Sequence, residues 1–290
     1  MTVALRPRRA AAPPASALLL CARQELALAV RSRWTQIFAV VFAGLSLAVA
    51  SSGYILSGGS GVQDFARTAA SLVQLALLLV PLTALVIGVL ALVPERGTAE
   101  LLFSQPVARR TILLGKLLGL FAALAAAQAV GFGAAGGVIF TRAGGQGVAG
   151  FVLLALFSLV LTAVFLGIAA LIAAGVPARR RARALAWALV AWFVLIVLFD
   201  VAALGLASLL PSGLASRVLI VAVLVNPAAA VRTAALLATE GTTAFGGASL
   251  AFLRFTHGPL GAGLMLATAL AFWIVVPPLV ASVRLRHSDL

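Results

Sequence analysis

Apolar residues run through this chain in long blocks separated by short polar interruptions. Six blocks reach the roughly 20 residues that a membrane-crossing helix needs. They lie at about 35–56, 69–93, 113–140, 148–176, 184–209 and 259–283. The stretch 113–176 is apolar for most of its length, and Arg142 with Gly144 and Gly145 forms its one break. A single helix of that length would overrun a bilayer, so the stretch divides into two spans joined by a short turn. Ahead of the first block, residues 17–33 carry a different pattern. Leu18, Leu19, Ala22, Leu26, Ala29 and Val30 share one arc of a helical wheel, and Arg23, Gln24, Glu25, Arg31 and Ser32 lie on the other side. This predicts an amphipathic helix in the membrane interface, with its arginines toward lipid phosphates. Read instead as an extra turn of the first span, the segment would drag Arg31 and Arg33 into hydrocarbon. Residues 1–16 form a basic arm expected to be disordered.

The segment 210–258 is the longest region outside the spans. Leu214–Val225 is apolar but too short to cross. Asn226-Pro227 breaks it, Ala228–Thr239 suits a second short helix, and 241–247 is a linker rich in Gly and Thr. Two short apolar helices in succession predict a re-entrant hairpin, tolerated only where protein or a cavity buries the broken turn. A hairpin lying flat on the outer leaflet is the alternative. The fold class expected is therefore an all-α integral membrane protein: six transmembrane helices, an N-terminal interfacial helix and a short outer hairpin between the fifth and sixth spans.

Composition agrees. Hydrophobic residues make up 63% of the 290 and charged residues only 10%, against about 25% charged in a soluble domain. An ordinary globular enzyme is excluded, and so is a disordered chain. The 21 Lys and Arg against 7 Asp and Glu give a net charge of +14. In a soluble protein that would point to nucleic acid; here it is a topology signal. Sixteen of the 21 basic residues fall in the N-terminal arm and helix, after the second span (Arg96, Arg109, Arg110, Lys116), after the fourth (Arg179, Arg180, Arg181, Arg183) or in the tail (Arg284, Arg286). Six spans place all of these on one side and leave Arg67, Arg142, Arg217, Arg232 and Arg254 on the other, so both termini are expected in the cytoplasm. The N-terminus does not read as a cleaved signal: its apolar stretch is short and is followed directly by Arg23 and Glu25.

Candidate chemistry is sparse. One cysteine (Cys21), two histidines and two methionines leave almost nothing for a metal site, and a cuprous-ion pathway would want such soft ligands. No G-x-x-x-x-G-K-[ST] string is present, so if ATP drives this protein another chain binds it. Asp200 is the one acid deep in a span, a functional candidate by default; a structural partner such as Arg217 or Arg67 is the other possibility. Gln74 and Thr83 near Pro81, and Gln128, are polar groups within spans, suited to interhelical hydrogen bonds or a kink. Gly115-x-x-x-Gly119 permits close helix packing. The loop Pro94–Lys116 exposes Leu101, Leu102 and Phe103, which favours a covering surface, either a partner protein or lipid headgroups.

The string Glu95-Arg96-Gly97-Thr98-x-Glu100-Leu101-Leu102-x-Ser104-x-Pro106-Val107-x-Arg109-Arg110-x-Ile112-Leu113-Leu114-Gly115-Lys116 resembles the first cytoplasmic loop of ABC-2 type transporter permeases. Ala22-Arg23-Gln24-Glu25-Leu26 with Arg31 resembles their elbow helix, and six spans with both ends inside is their plan. Within that family the chain looks most like the permeases of copper-processing transporters that serve nitrous-oxide reductase maturation, on layout, the first loop and Asn226-Pro227. The resemblance implies two permease copies forming a pathway in a bacterial inner membrane, with separate cytoplasmic ATPase subunits, and their ATP and Mg, docked beneath. The loop at 94–112, with Glu95, Arg96, Glu100, Leu101, Leu102, Phe103, Arg109 and Arg110, would be the docking element, and Glu100 and Arg109 would pair with the ATPase. Arg23, Glu25 and Arg31 would belong to the elbow, and Asn226 and Pro227 to an outer gate. The chain itself would hold no cofactor, catalyse nothing and bind no nucleic acid. A periplasmic protein at 210–258 is a further expected partner, receiving a sulfur species or mechanical work. An ion-coupled carrier would rely on Asp200, a membrane scaffold would need none of these residues, and an intramembrane enzyme lacks an assembled set of catalytic groups.

Overall fold

The computed structural model describes residues 14–55, 62–93, 107–143, 148–240, 252–253, 255–256 and 258–287. Among them there is no strand, and the chain is helical almost throughout. The helices are α1 (Pro14–Arg31), α2 (Arg33–Ile55), α3 (Val62–Leu92), α4 (Arg109–Ala143) and α5 (Val148–Ala173). They are followed by α6 (Arg181–Ser208), α7 (Ser212–Val225), α8 (Pro227–Glu240) and α9 (Pro259–His287). Six of them, α2 to α6 and α9, contain stretches long and apolar enough to cross a membrane. The break expected near Gly144 falls between α4 and α5.

The core is a block of apolar side chains shared by α2, α3, α4 and α5, with α9 and α8 closing it. Phe42, Phe165, Leu72, Leu85, Leu120 and Leu124 are fully buried there. A chain of aromatic contacts, Phe38–Phe42–Phe132–Phe151–Phe140, ties α2 to α4 and α5. Edge-on packing of this kind adds roughly 0.5–1.5 kcal/mol per pair beyond area burial.

Three features depart from uniform helices. α4 is 35 residues long, about 52 Å, and its surplus length at the basic end is used to dock α1. α3 carries Pro81 in its interior, which removes one ladder donor and disturbs the turn before it. Near this point the Trp192 indole of α6 donates to the carbonyl of Leu78 at 3.1 Å, and the Thr83 hydroxyl donates to that of Leu79. α6 is interrupted by a π-helical turn at Val194–Leu198, a widened turn that the hydropathy pattern does not reveal. α6 has no buried stretch in the spanning window and is the bundle's most peripheral span.

α7 and α8 form a sharply bent pair, 101° apart at Asn226. Asn226 has extended backbone angles, as a residue before proline must, and Pro227 opens α8 at the position where a missing N–H costs nothing. Residues 241–251, with the whole of the expected Gly/Thr linker, lie outside the described residues.

Candidate functional site

Basic residues at the ends of α4, α6 and α9 meet the end of α3 on one face of the bundle. Lys116, two turns into α4, makes an ion pair of 3.4 Å with Glu25 of α1, and its ammonium also donates to the carbonyl of Ala91 at 2.9 Å. Arg181, opening α6, donates to the carbonyl of Leu90 at 2.6 Å. Arg109, opening α4, donates to the carbonyl of Leu285 at 2.7 Å. Leu90, Ala91 and Leu285 lie in the last turn of α3 or near the end of α9. Carbonyls at helix C-termini lack intrahelical partners and carry the negative end of the helix dipole. Three cations from neighbouring helices satisfy them here.

α1 docks along the start of α4. Gly115 and Gly119 let the two backbones touch. A Cβ on Gly119 would overlap the Ala22 carbonyl oxygen and sit 2.7 Å from the Glu25 Cβ. On Gly115 it would meet the Cys21 Cβ at 2.6 Å. The small-residue pair in the sequence is thus a packing seam. It also corrects the orientation expected for α1: Glu25 does not join the outward polar arc but is buried, 8% exposed at its side chain, against Lys116. Arg23 and Arg31 are exposed as expected, and Leu19, Leu20, Leu28 and Val30 are exposed beside them.

The loop proposed for docking leaves α3 just past Val93 and returns at Arg109. Glu95, Arg96, Glu100, Leu101, Leu102 and Phe103 lie outside the described residues. Of the two arginines at its return, Arg110 is exposed, while Arg109 is engaged with α9.

A second polar group lies in the interior. The Gln128 amide donates to the Thr162 hydroxyl at 2.7 Å, and the Ser158 hydroxyl donates to the Gln128 oxygen at 2.6 Å. Thr162 in turn donates to the Ser158 carbonyl. All three are buried, so the interhelical role that the sequence allowed for Gln128 is the one it fills, between α4 and α5. Gln74 is exposed on α3.

The third group sits where α7 and α8 meet α6. Asn226 is fully buried, at 0%. Its side-chain oxygen accepts from the Ala228 N–H at 3.0 Å, capping α8. Its amide donates to the Leu195 carbonyl, inside the π-turn, at 2.7 Å. Further out, the Arg232 guanidinium of α8 pairs with Asp200 of α6 at 2.6 Å. Among the described residues the partner of Asp200 is therefore Arg232 and not Arg217, while the side chain of Arg67 lies outside them. One signal in the sequence pointed there: a basic residue six past Asn226, on a helix that must turn outward again.

A bundle with six membrane-crossing helices, a helix docked on its basic end and a bent helical pair at the other is the plan of a transporter's membrane subunit. The family model described as ABC-2 family transporter protein matches residues 19–290, and the chain belongs to that family. It is 37% identical over 214 residues to the probable ABC transporter permease protein NosY of Pseudomonas aeruginosa, an alignment covering 71% of this chain and 76% of that protein. It is 34% identical over 227 residues to the protein of the same name from Stutzerimonas stutzeri, covering 76% and 82%. It is thus a multi-pass membrane protein and a transporter permease.

Proposed function

We propose that this chain is the permease half of an ATP-driven transporter, a homodimer in a bacterial inner membrane, with separate cytoplasmic ATPase subunits supplying ATP and Mg chemistry. Both termini and the basic end face the cytoplasm, in keeping with the skewed Lys and Arg distribution. The observation that carries the reading is the position of Lys116. It holds α1 through Glu25 and the end of α3 through Ala91, from within α4. The loop 94–108 is strung between α3 and α4, so a push on that loop reaches three helices through one ammonium group. Glu95, Arg96, Glu100, Leu101, Leu102, Phe103 and Arg110 would meet the ATPase, and Arg109 would anchor the loop's return to α9.

At the other end, α7 and α8 act as the outer gate, with Asn226 and Pro227 at their innermost point. Leu195 lies about half-way along α6, and a hairpin tip bonded to it supports a re-entrant hairpin over one spread on the outer leaflet. Burial of the break, with Asn226 satisfying the freed groups, is what such a turn requires. The work we assign to it is copper-enzyme maturation, for nitrous-oxide reductase, with a sulfur species or mechanical work passed to a periplasmic partner at 210–258; the resemblance drawn from the sequence and the likeness to two permeases named NosY support this reading. An ion-coupled carrier would have to use Asp200, whose carboxylate is already paired with Arg232.

The test is to co-express the chain with an ABC-type ATPase subunit from the same genome, then measure co-elution and ATP hydrolysis. Leu101→Asp and Glu100→Arg should abolish both. If both survive, the docking loop is wrongly assigned. Transport driven by a proton gradient without any ATPase would establish the carrier, and absence of transport with any energy source the scaffold.

A further inference from the structure

Among the described residues, two polar ties join α8 to α6. One is the Asn226 amide on the Leu195 carbonyl, and the other is the Arg232–Asp200 pair. Leu195 lies within the π-turn and Asp200 just beyond it. Contact order along the two helices is the same, Leu195 with Asn226 and then Asp200 with Arg232, so α6 and α8 run side by side in one direction. Apolar packing on α8 contributes little: beyond the π-turn, Val201, Leu204, Leu206 and Leu209 are exposed, of the last ten residues of α6 only Ala207 is buried, and this half of α6 packs along α7 instead. α8 is seated elsewhere, on α5 and α9, with Ala228, Ala229, Ala230 and Val231 buried.

We propose that these two ties form a latch that holds the outer half of α6 against α8, with the π-turn as its pivot. This rests on the reading of α7 and α8 as the outer gate and specifies how that gate is kept shut. A π-turn is a widened turn of the kind found at functional sites, and Asn226 donates to the Leu195 carbonyl within it without giving up its capping bond, since the two use different atoms of the amide. A charge pair sharing one rigid helix with an amide tie has little independent freedom. Loss of either tie releases both, and the outer half of α6 swings away while α8 stays on α5. Polar ties suit the task because, in hydrocarbon, packing supplies no hydrophobic preference for the closed state.

The experiment uses the full chain in lipid nanodiscs, in a Cys21→Ser background, with spin labels at Leu204→Cys on α6 and Ala238→Cys on α8, and reads the distance distribution by pulsed EPR. A single short distance is expected for the parent. Asp200→Asn and Asn226→Leu should each add a longer-distance population, the two together should add no more than either alone, and the charge swap Asp200→Arg with Arg232→Asp should restore the short distance. Unchanged distributions in both single variants would overturn the latch, as would failure of the swap to restore. A disulfide between Asp200→Cys and Arg232→Cys in the assembled transporter tests the gate separately. If the latch variants lengthen the distance but the locked transporter hydrolyses ATP and transports normally, the latch stands and the gate assignment falls.

Discussion

Glu25 of α1 and Lys116 of α4 meet at 3.4 Å across a seam in which Gly119 leaves no room for a side chain. Charge and shape fix the same contact, so each should be sensitive to change on its own. Gly119→Leu forces α1 off α4. Overpacking of this kind costs about 1–3 kcal/mol, to be read as a lowered melting temperature in detergent. Cys21, half-buried in the same seam, should then react faster with a maleimide. A normal labelling rate in Gly119→Leu would show that α1 docks by some other contact.

Lys116→Met and Glu25→Gln each leave an opposite charge stranded near hydrocarbon. Breaking a buried pair costs about 3–5 kcal/mol, and the figure here should fall toward the lower end or below, since the Lys116 side chain is 24% exposed. The double variant should lose less stability than the two singles added together. Additive losses would mean that the two charges do not couple.

Arg109 separates anchoring from docking. Arg109→Gln removes the donor to Leu285 and should lower stability by roughly 0.3–1 kcal/mol, the usual scale for a cation at a helix C-terminus, while ATPase co-elution persists. Arg110→Glu, altering an exposed charge, should weaken co-elution with the melting temperature unchanged. The reverse pattern would move the docking role to Arg109.

Gln128→Leu should cost about 1 kcal/mol, the scale of interhelical hydrogen bonds in membranes, because Ser158 and Thr162 can turn to their own helix. ATP turnover by the assembled transporter should be untouched. A large loss of turnover with little loss of stability would make Gln128 part of the pathway.

The six spans were legible because hydrocarbon imposes one requirement, length of apolar sequence, that a single chain displays directly. The Asn226 break was legible for a similarly local reason, the conformational demands of proline. The partner of Asp200 was not, since three arginines lie within reach by sequence and only the outward course of α8 selects Arg232. The inward face of α1 was missed because the wheel assigns burial to the apolar arc, whereas the docking face is chosen by the absence of side chains on Gly115 and Gly119. Leu90, Ala91 and Leu285 act through main-chain carbonyls, which no residue type announces.

The π-turn of α6 amounts to one residue more than a regular helix would hold over the same path. Deleting a single residue from Val194–Leu198 would close the turn to a regular helix and leave everything beyond in place, whereas deleting one from the regular turns before it would rotate everything beyond by about 100°. Asp200 would then turn away from Arg232, and no substitution elsewhere on α6 could bring it back, because the error is one of phase and not of chemistry. The distal part of this span is thus written in a different reading phase from its proximal part, and the chain's tolerance for insertion and deletion should change sign at that turn.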